Sequence, residues 1–289
     1  MSLPSYTGPL GRMWFYSVRG FAALVLLFLI LPILVVTPLS FNVEPYFSFT
    51  RGMLSLDPDA FSLRWYRELV EDPLWVMSFK NSLLIAACAT VIATALGTLA
   101  ALGLSRSNLP CKGLLMGTLI SPMIVPVIIS SAGMYFFYST LGIAQSHLGI
   151  AQSHLGIILA HAVLGTPFVI ITVTATLVGF DHSLTRAAAS MGASPTYTFF
   201  RVTFPIIRPG IISGALFALV TSFDEAVVVL FLGGVEQRTI PRQMWSGMRE
   251  QISPTILAAA TLLILGSVLL LVAIEVLRRR SLRLRGIKE

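Results

Sequence analysis

The chain has 289 residues, of which 55% are hydrophobic and only 11% charged, where a soluble domain carries about a quarter charged residues. Its mean hydropathy is +0.84 and its pI is near 9.8, so it holds more apolar sequence than one soluble core could hide. The net charge of +7 sits in short segments between apolar runs and at the C-terminus, not in a basic stripe interleaved with aromatics, which argues against nucleic acid as a partner.

A bilayer core about 30 Å thick takes roughly 20 apolar residues per helix. Several stretches meet that demand, and they predict an all-α membrane protein of about six spans forming one transmembrane domain over residues 1–289. The first apolar run, Phe21 to Leu39, follows Arg12 and Arg19, and its span is placed near 19–39. It is long for a signal-peptide core, lacks a clear small-x-small cleavage site and precedes further spans, so it reads as an uncleaved helix. Ser40 to Met77 reads as a polar loop carrying a short amphipathic helix over 61–70, whose aromatics suit a membrane interface. A second span is placed near 80–104 and a third near 114–138, with Pro122 and Pro126 predicting a kink or break in the third.

Gly142 to Leu148 reads GIAQSHL, and Gly149 to Leu155 repeats it letter for letter. A copy this short is no solenoid repeat. It reads as a loop extension of little thermodynamic cost, in preference to a functional pair of His147 and His154. The fourth span, near 156–179, contains His161, read as a hydrogen-bonded packing residue, and Pro167. The fifth is placed near 209–232, starting at Pro209, and the sixth near 255–277, before Arg278, Arg279 and Arg280. With the N-terminus inside, thirteen of the 20 lysines and arginines fall on the inner side, which predicts both termini in the cytoplasm.

The chain has no G-x-x-x-x-G-K-[ST] phosphate loop, no G-x-S-x-G and no H-E-x-x-H. Neither Cys88 nor Cys111 belongs to a disulfide framework or a metal-spaced cluster. Transport is therefore favoured over catalysis, without a cofactor in this chain. Acidic pairs occur at Glu71-Asp72, read as solvated, and at Asp224-Glu225 inside the fifth span. An ionised carboxylate facing lipid there is costly, so one reading places the second pair, with Ser222, on a solute path, Asp224 toward the lumen. The other reading makes the acids caps of a broken helix or partners of a basic residue.

The segment 181–205 predicts a helix–turn–helix outside the membrane. Asp181 is placed to cap a first helix that Gly192 ends in left-handed conformation, and Ser194 to cap a second with Pro195 at its first position. Pro205 is expected to stop that second helix, and Ala187, Ala188 and Gly192 to leave a shallow surface for a partner.

Ala187, Ala188, Gly192 and Pro205 fall at the spacing of the EAA loop, and Thr203 and Phe204 stand around its I-x-L positions. The chain thus resembles importer-type ABC transporter permeases. It departs from the motif at Arg186, where the family has glutamate. Ser62 to Tyr66, Asn81-Ser82-Leu83, Ser222 to Glu225, Gly233-Gly234 and Thr239-Ile240-Pro241 extend the resemblance to the second permease subunit of spermidine/putrescine and opine-type uptake systems.

The resemblance implies a bacterial inner-membrane permease working with a second permease subunit, two ATPase subunits that bind ATP and Mg, and a soluble substrate-binding protein. It implies a small amine-bearing solute, such as a polyamine or an opine or amino-acid derivative. It assigns Arg186, Ala187, Ala188, Gly192, Ala193 and Pro205 to coupling with the ATPases. The rivals are an ion-coupled secondary transporter, for which the repeat-related broken helices are missing from the sequence, and a membrane-embedded enzyme, for which a catalytic set is missing.

Overall fold

The computed structural model describes residues 8–105, 109–140, 152–250 and 253–284. Among these the regular elements are helices, apart from one isolated bridge between Asn42 and Phe61. The chain divides into two compact units, residues 1–72 with 247–289, and residues 73–246.

In the first unit α1 runs Pro9–Leu39, starting well before the predicted boundary. Its length of about 46 Å at 1.5 Å per residue exceeds the hydrocarbon core, so the turns carrying Arg12 and Arg19 extend the span. Arg19 lies 4.0 Å over the Phe15 ring. Almost the whole apolar surface of α1 is exposed, as a lipid-facing helix requires. Beyond α1, short α2 (Arg51–Leu54) and amphipathic α3 (Arg64–Glu71) form the expected interfacial segment. Fully buried Asn42 organises it: its amide donates to the carbonyls of Tyr46 and Ser48, and its own carbonyl accepts from Trp65 Nε1 at 2.6 Å. The last helix of this unit, α13 (Thr255–Leu284), packs on α1 and α3.

In the second unit α4 (Pro73–Leu104) begins several residues before the predicted span, because Pro73 is preorganised for a helix start. Together α4, α7 (His154–Val178) and α10 (Phe204–Asp224) form a tight three-helix block. Glycines set its closeness. A Cβ on Gly97 would come 2.6 Å from Val169 Cβ, and one on Gly214 would come 2.7 Å from Val169 Cα. Val169 of α7 is thus held between a glycine of α4 and a glycine of α10, the small-residue packing that lets membrane helices approach.

The third predicted span is broken at Val125 and Pro126, while Pro122 lies inside a helix. The helices α5 (Lys112–Ile124) and α6 (Val127–Thr140) meet at 104°. Among the described residues four single helices are long and apolar enough to cross a bilayer, the bent pair makes a fifth, and Thr255–Leu269 of α13 is a shorter apolar stretch.

The fifth span differs from its expectation. Neither does Pro205 stop a helix nor does Pro209 start one. The chain is helical from Pro195 to Asp224, with Pro209 inside α10. A π turn over Phe199–Thr203 makes this continuity possible: Phe204 N–H reaches back five residues to the Phe199 carbonyl, just before Pro205, which has no N–H to give. At its far end the helix breaks, and short α11 (Val227–Leu232) follows.

The first GIAQSHL copy, with His147, lies outside the described residues. The second has definite work. Gln152 N–H donates to the Leu232 carbonyl, Ser153 Oγ accepts from Gly156 N–H to cap α7, and His154 Nε2 lies 2.9 Å from Asn81 Oδ1. Removing Gly142 to Leu148 leaves one copy joined to Gly156 in unchanged order, so these bonds survive. We expect the shortened chain to reach the membrane and support uptake within about twofold of the full chain, since loop length costs little. Lost uptake at normal membrane abundance would make the spacer functional.

Candidate functional site

Two regions carry the chemistry singled out by the sequence: the polar segment at one end of the α7–α10 pair, and the helix break at the other.

In the first, Asp181 opens the turn before α8 (Ser183–Ser190). Its carboxylate accepts from Ser183 Oγ–H at 2.7 Å and from Ser183 N–H at 2.8 Å. These two bonds hold its pKa below the ordinary aspartate value. The helix ends in a full Schellman turn. Gly192 has φ +79°, its N–H donates to the Ala189 carbonyl, and Ala193 N–H donates to the Ala188 carbonyl. Ser194 Oγ then accepts from Tyr197 N–H, capping α9 (Pro195–Thr198), which has Pro195 at its first position. The expected helix–turn–helix is therefore present.

Exposure refines the expected surface. Arg186, Ala187 and Gly192 face outward, Ala193 is half-buried, and Pro205 is exposed on the continuing helix. Ala188 is not part of the surface: it is 6% exposed and turned inward at the base of the Schellman turn. Large apolar side chains that sequence reasoning passed over do face out here, with Met191 at 82%, Phe200 at 60% and Tyr197 at 59% exposure. Their signal was available, as bulky residues in a segment placed outside the membrane.

In the second region Asp224 is the last residue of α10 and is exposed. Glu225 is half-buried, and its Oε1 accepts the N–H groups of Val227 at 2.7 Å and Val228 at 3.0 Å. The adjacent acids thus divide: Glu225 caps α11, offsetting that helix's free amides, while Asp224 projects from the break. Ser222, grouped with them on the sequence, is only 5% exposed and turns into the bundle, where its Oγ lies 2.8 Å from His161 Nδ1 of α7. This bears out His161 as a packing residue and removes Ser222 from an exposed lining. His161 is seven residues from the start of α7, or about 10 Å at 1.5 Å per residue, so the break lies in the half of the bundle nearer that end.

Above the break a clasp closes the same end. Asn81 Nδ2 donates to the carbonyls of Glu236 and Arg238, and Ser82 Oγ accepts from Ile240 N–H, which opens α12 (Ile240–Glu250). Gly234 N–H donates to Gln237 Oε1, and Arg242 Nη1 donates to the Gly234 carbonyl. The Asn81-Ser82, Gly233-Gly234 and Thr239-Ile240-Pro241 stretches, far apart in sequence, meet here as one structure. Among the described residues no three His, Cys, Asp or Glu side chains gather to hold a metal.

A set of apolar spans with two helix breaks, an exposed carboxylate and a structured polar turn is the architecture of a multi-pass membrane transport subunit. Residues 93–283 match the family model described as binding-protein-dependent transport system inner membrane component, and the chain belongs to that family. It is a permease of the ABC importer kind and not an enzyme.

The chain is 28% identical over 267 residues to the spermidine/putrescine transport system permease protein PotC of Haemophilus influenzae, covering 92% of this chain and 98% of that protein. It is 32% identical over 247 residues to the putrescine transport system permease protein PotI of Escherichia coli, covering 83% of each. In fold it matches a chain from the crystal structure of a bacterial ABC transporter involved in import of the acidic polysaccharide alginate. That match has TM-score 0.68 at 15% identity over 96% of this chain and 99% of that one.

Proposed function

We propose that this permease carries a small amine-bearing solute of the polyamine class inward, with a second permease subunit, two ATPase subunits that bind ATP and Mg, and a soluble binding protein. The 181–205 segment is the ATPase dock and Asp224 faces the solute path. The observation that carries this reading is the 181–205 turn itself: a Schellman cap at Gly192 in a segment that also exposes Met191, Tyr197 and Phe200. Such a turn offers apolar anchors to a partner but has no engine of its own. Names of similar permeases transporting putrescine and spermidine support the solute class.

In this reading the turn and both termini are cytoplasmic, because the basic residues concentrate on that side. The Asp224 break then lies toward the outer face, where solute is delivered. Co-expression with the ATPase of the same system, pull-down through the permease, and uptake of labelled 1,4-diaminobutane test the assignment. We expect co-purification and ATP-dependent accumulation, and a periplasm-only reporter fused after Glu289 should be silent. An active reporter there would reverse the topology. Accumulation that follows an ion gradient without an ATPase would replace the importer by a secondary transporter.

A further inference from the structure

The bend in the third span, with Val163 of α7, lines a shallow and largely open cavity of about 300 Å³, at the small end of ligand pockets. Its walls include Ser121 and Pro122 from the end of α5, and Ser130, Gly133 and Phe137 from α6.

Three features of this wall favour one kind of ligand. First, α5 ends at Ile124, and the last carbonyls of a helix lack intrahelical donors. Pro126 has no N–H, so the Pro122 carbonyl in particular loses the donor four residues on. A helix C-terminus with free carbonyls is a site of negative partial charge. Second, Ser121 Oγ–H is spent on the Thr118 carbonyl at 2.7 Å, which turns the oxygen's lone pairs outward as acceptors. Third, Phe137 is an exposed ring on the cavity wall, and an aromatic face attracts cations. The wall therefore offers acceptors and a π face around an apolar floor, with no charged side chain on it.

We propose that this bend is a second solute site, which binds the primary ammonium end and adjoining methylenes of a linear diamine. The inference rests on the amine-import reading and narrows it. A carboxylate would face the same helix C-terminus with the wrong sign, so linear amines are taken and amino acids are refused. A neutral wall of acceptors binds a cation without a fixed counter-charge, and a transport site must also release what it holds. Phosphatidylethanolamine carries the same ammonium, but the free diamine is the assigned ligand.

The test uses the whole transporter in phosphatidylcholine vesicles, with 1,4-diaminobutane as probe. A Cβ on Gly133 meets nothing within 4 Å, so Gly133→Leu fills the cavity without disturbing the fold. We expect this variant to lose at least about tenfold of 1,4-diaminobutane uptake at unchanged basal ATP hydrolysis. Phe137→Leu should raise KM about three- to tenfold with kcat kept, the size of one cation–π contact. In the unaltered complex 4-aminobutanoate should compete at least about tenfold less well than the diamine.

Normal uptake and KM in both variants would overturn the pocket and leave amine import standing. Failure of the unaltered complex to take up the diamine would overturn both readings. Loss of the partner permease from Gly133→Leu would assign the bend to a subunit interface instead. A phosphatidylethanolamine seen on the native complex by mass spectrometry, and lost from Gly133→Leu with uptake intact, would assign it to lipid.

Discussion

Replacing Gly192 by valine is expected to abolish coupled transport while leaving a permease that still inserts and still binds its partner permease. Gly192 holds φ +79°, a left-handed conformation that costs a non-glycine residue roughly 1–2 kcal/mol. β-Branching makes the penalty worse. A valine that relaxes to ordinary φ gives up the two Schellman bonds, from Gly192 N–H to the Ala189 carbonyl and from Ala193 N–H to the Ala188 carbonyl, so the turn between α8 and α9 changes direction. The rest of the chain does not register the change, because a Cβ at Gly192 meets nothing within 4 Å. A shift of 1–2 kcal/mol changes a population by roughly 5–30-fold, and we expect solute-stimulated ATP hydrolysis and uptake to fall by at least that factor. Gly192→Asn should retain much of the activity, since asparagine tolerates the left-handed region. Full coupling in Gly192→Val would show that this turn does not transmit the stroke.

The second large effect is expected at Asp224. The neighbouring acids are unequal: Glu225 is engaged by the amides of Val227 and Val228, whereas Asp224 is exposed at the break. A hydrogen bond to a charged group contributes about 1.5–3 kcal/mol, which corresponds to about 10–150-fold in affinity. Asp224→Asn should therefore weaken uptake of a dication by at least about tenfold, with assembly and basal ATP hydrolysis near normal. Glu225→Gln keeps an oxygen able to accept from the same amides, and should cost less than about threefold by that argument. Initial uptake rates measured against complex yield separate the cases. An unaltered rate in Asp224→Asn would remove this carboxylate from the path, and loss of the complex would make it structural.

What could be read from the chain without its structure follows the range of the forces involved. The break after Ile124 was legible because Pro126 acts locally, through an absent donor, a fixed φ and its bias on Val125 against helix. The Gly192 turn was legible for the same reason: cap, glycine, serine and proline each fix their own few residues. The continuity of the helix through Pro205 and Pro209 was not. It depends on a π turn whose register shift has no sequence mark, so two prolines that read as a stop and a start lie inside one helix. Nor was the Asn81 clasp legible as a clasp. Its bonds join residues 155 and 157 positions apart, and the sequence showed only that the participating stretches are familiar ones. The acidic pair stood between two readings, and the geometry divides it, with Glu225 a cap and Asp224 outward.

The seating of Val169 between Gly97 and Gly214 also bears on motion. Close-packed interiors resist compression, and with no side chain on either flank there is no slack for α4, α7 and α10 to slide across one another. These three helices then travel as a single stiff strut. Bending within this unit falls instead to non-helical joints of the main chain, among them 125–126 and 225–226.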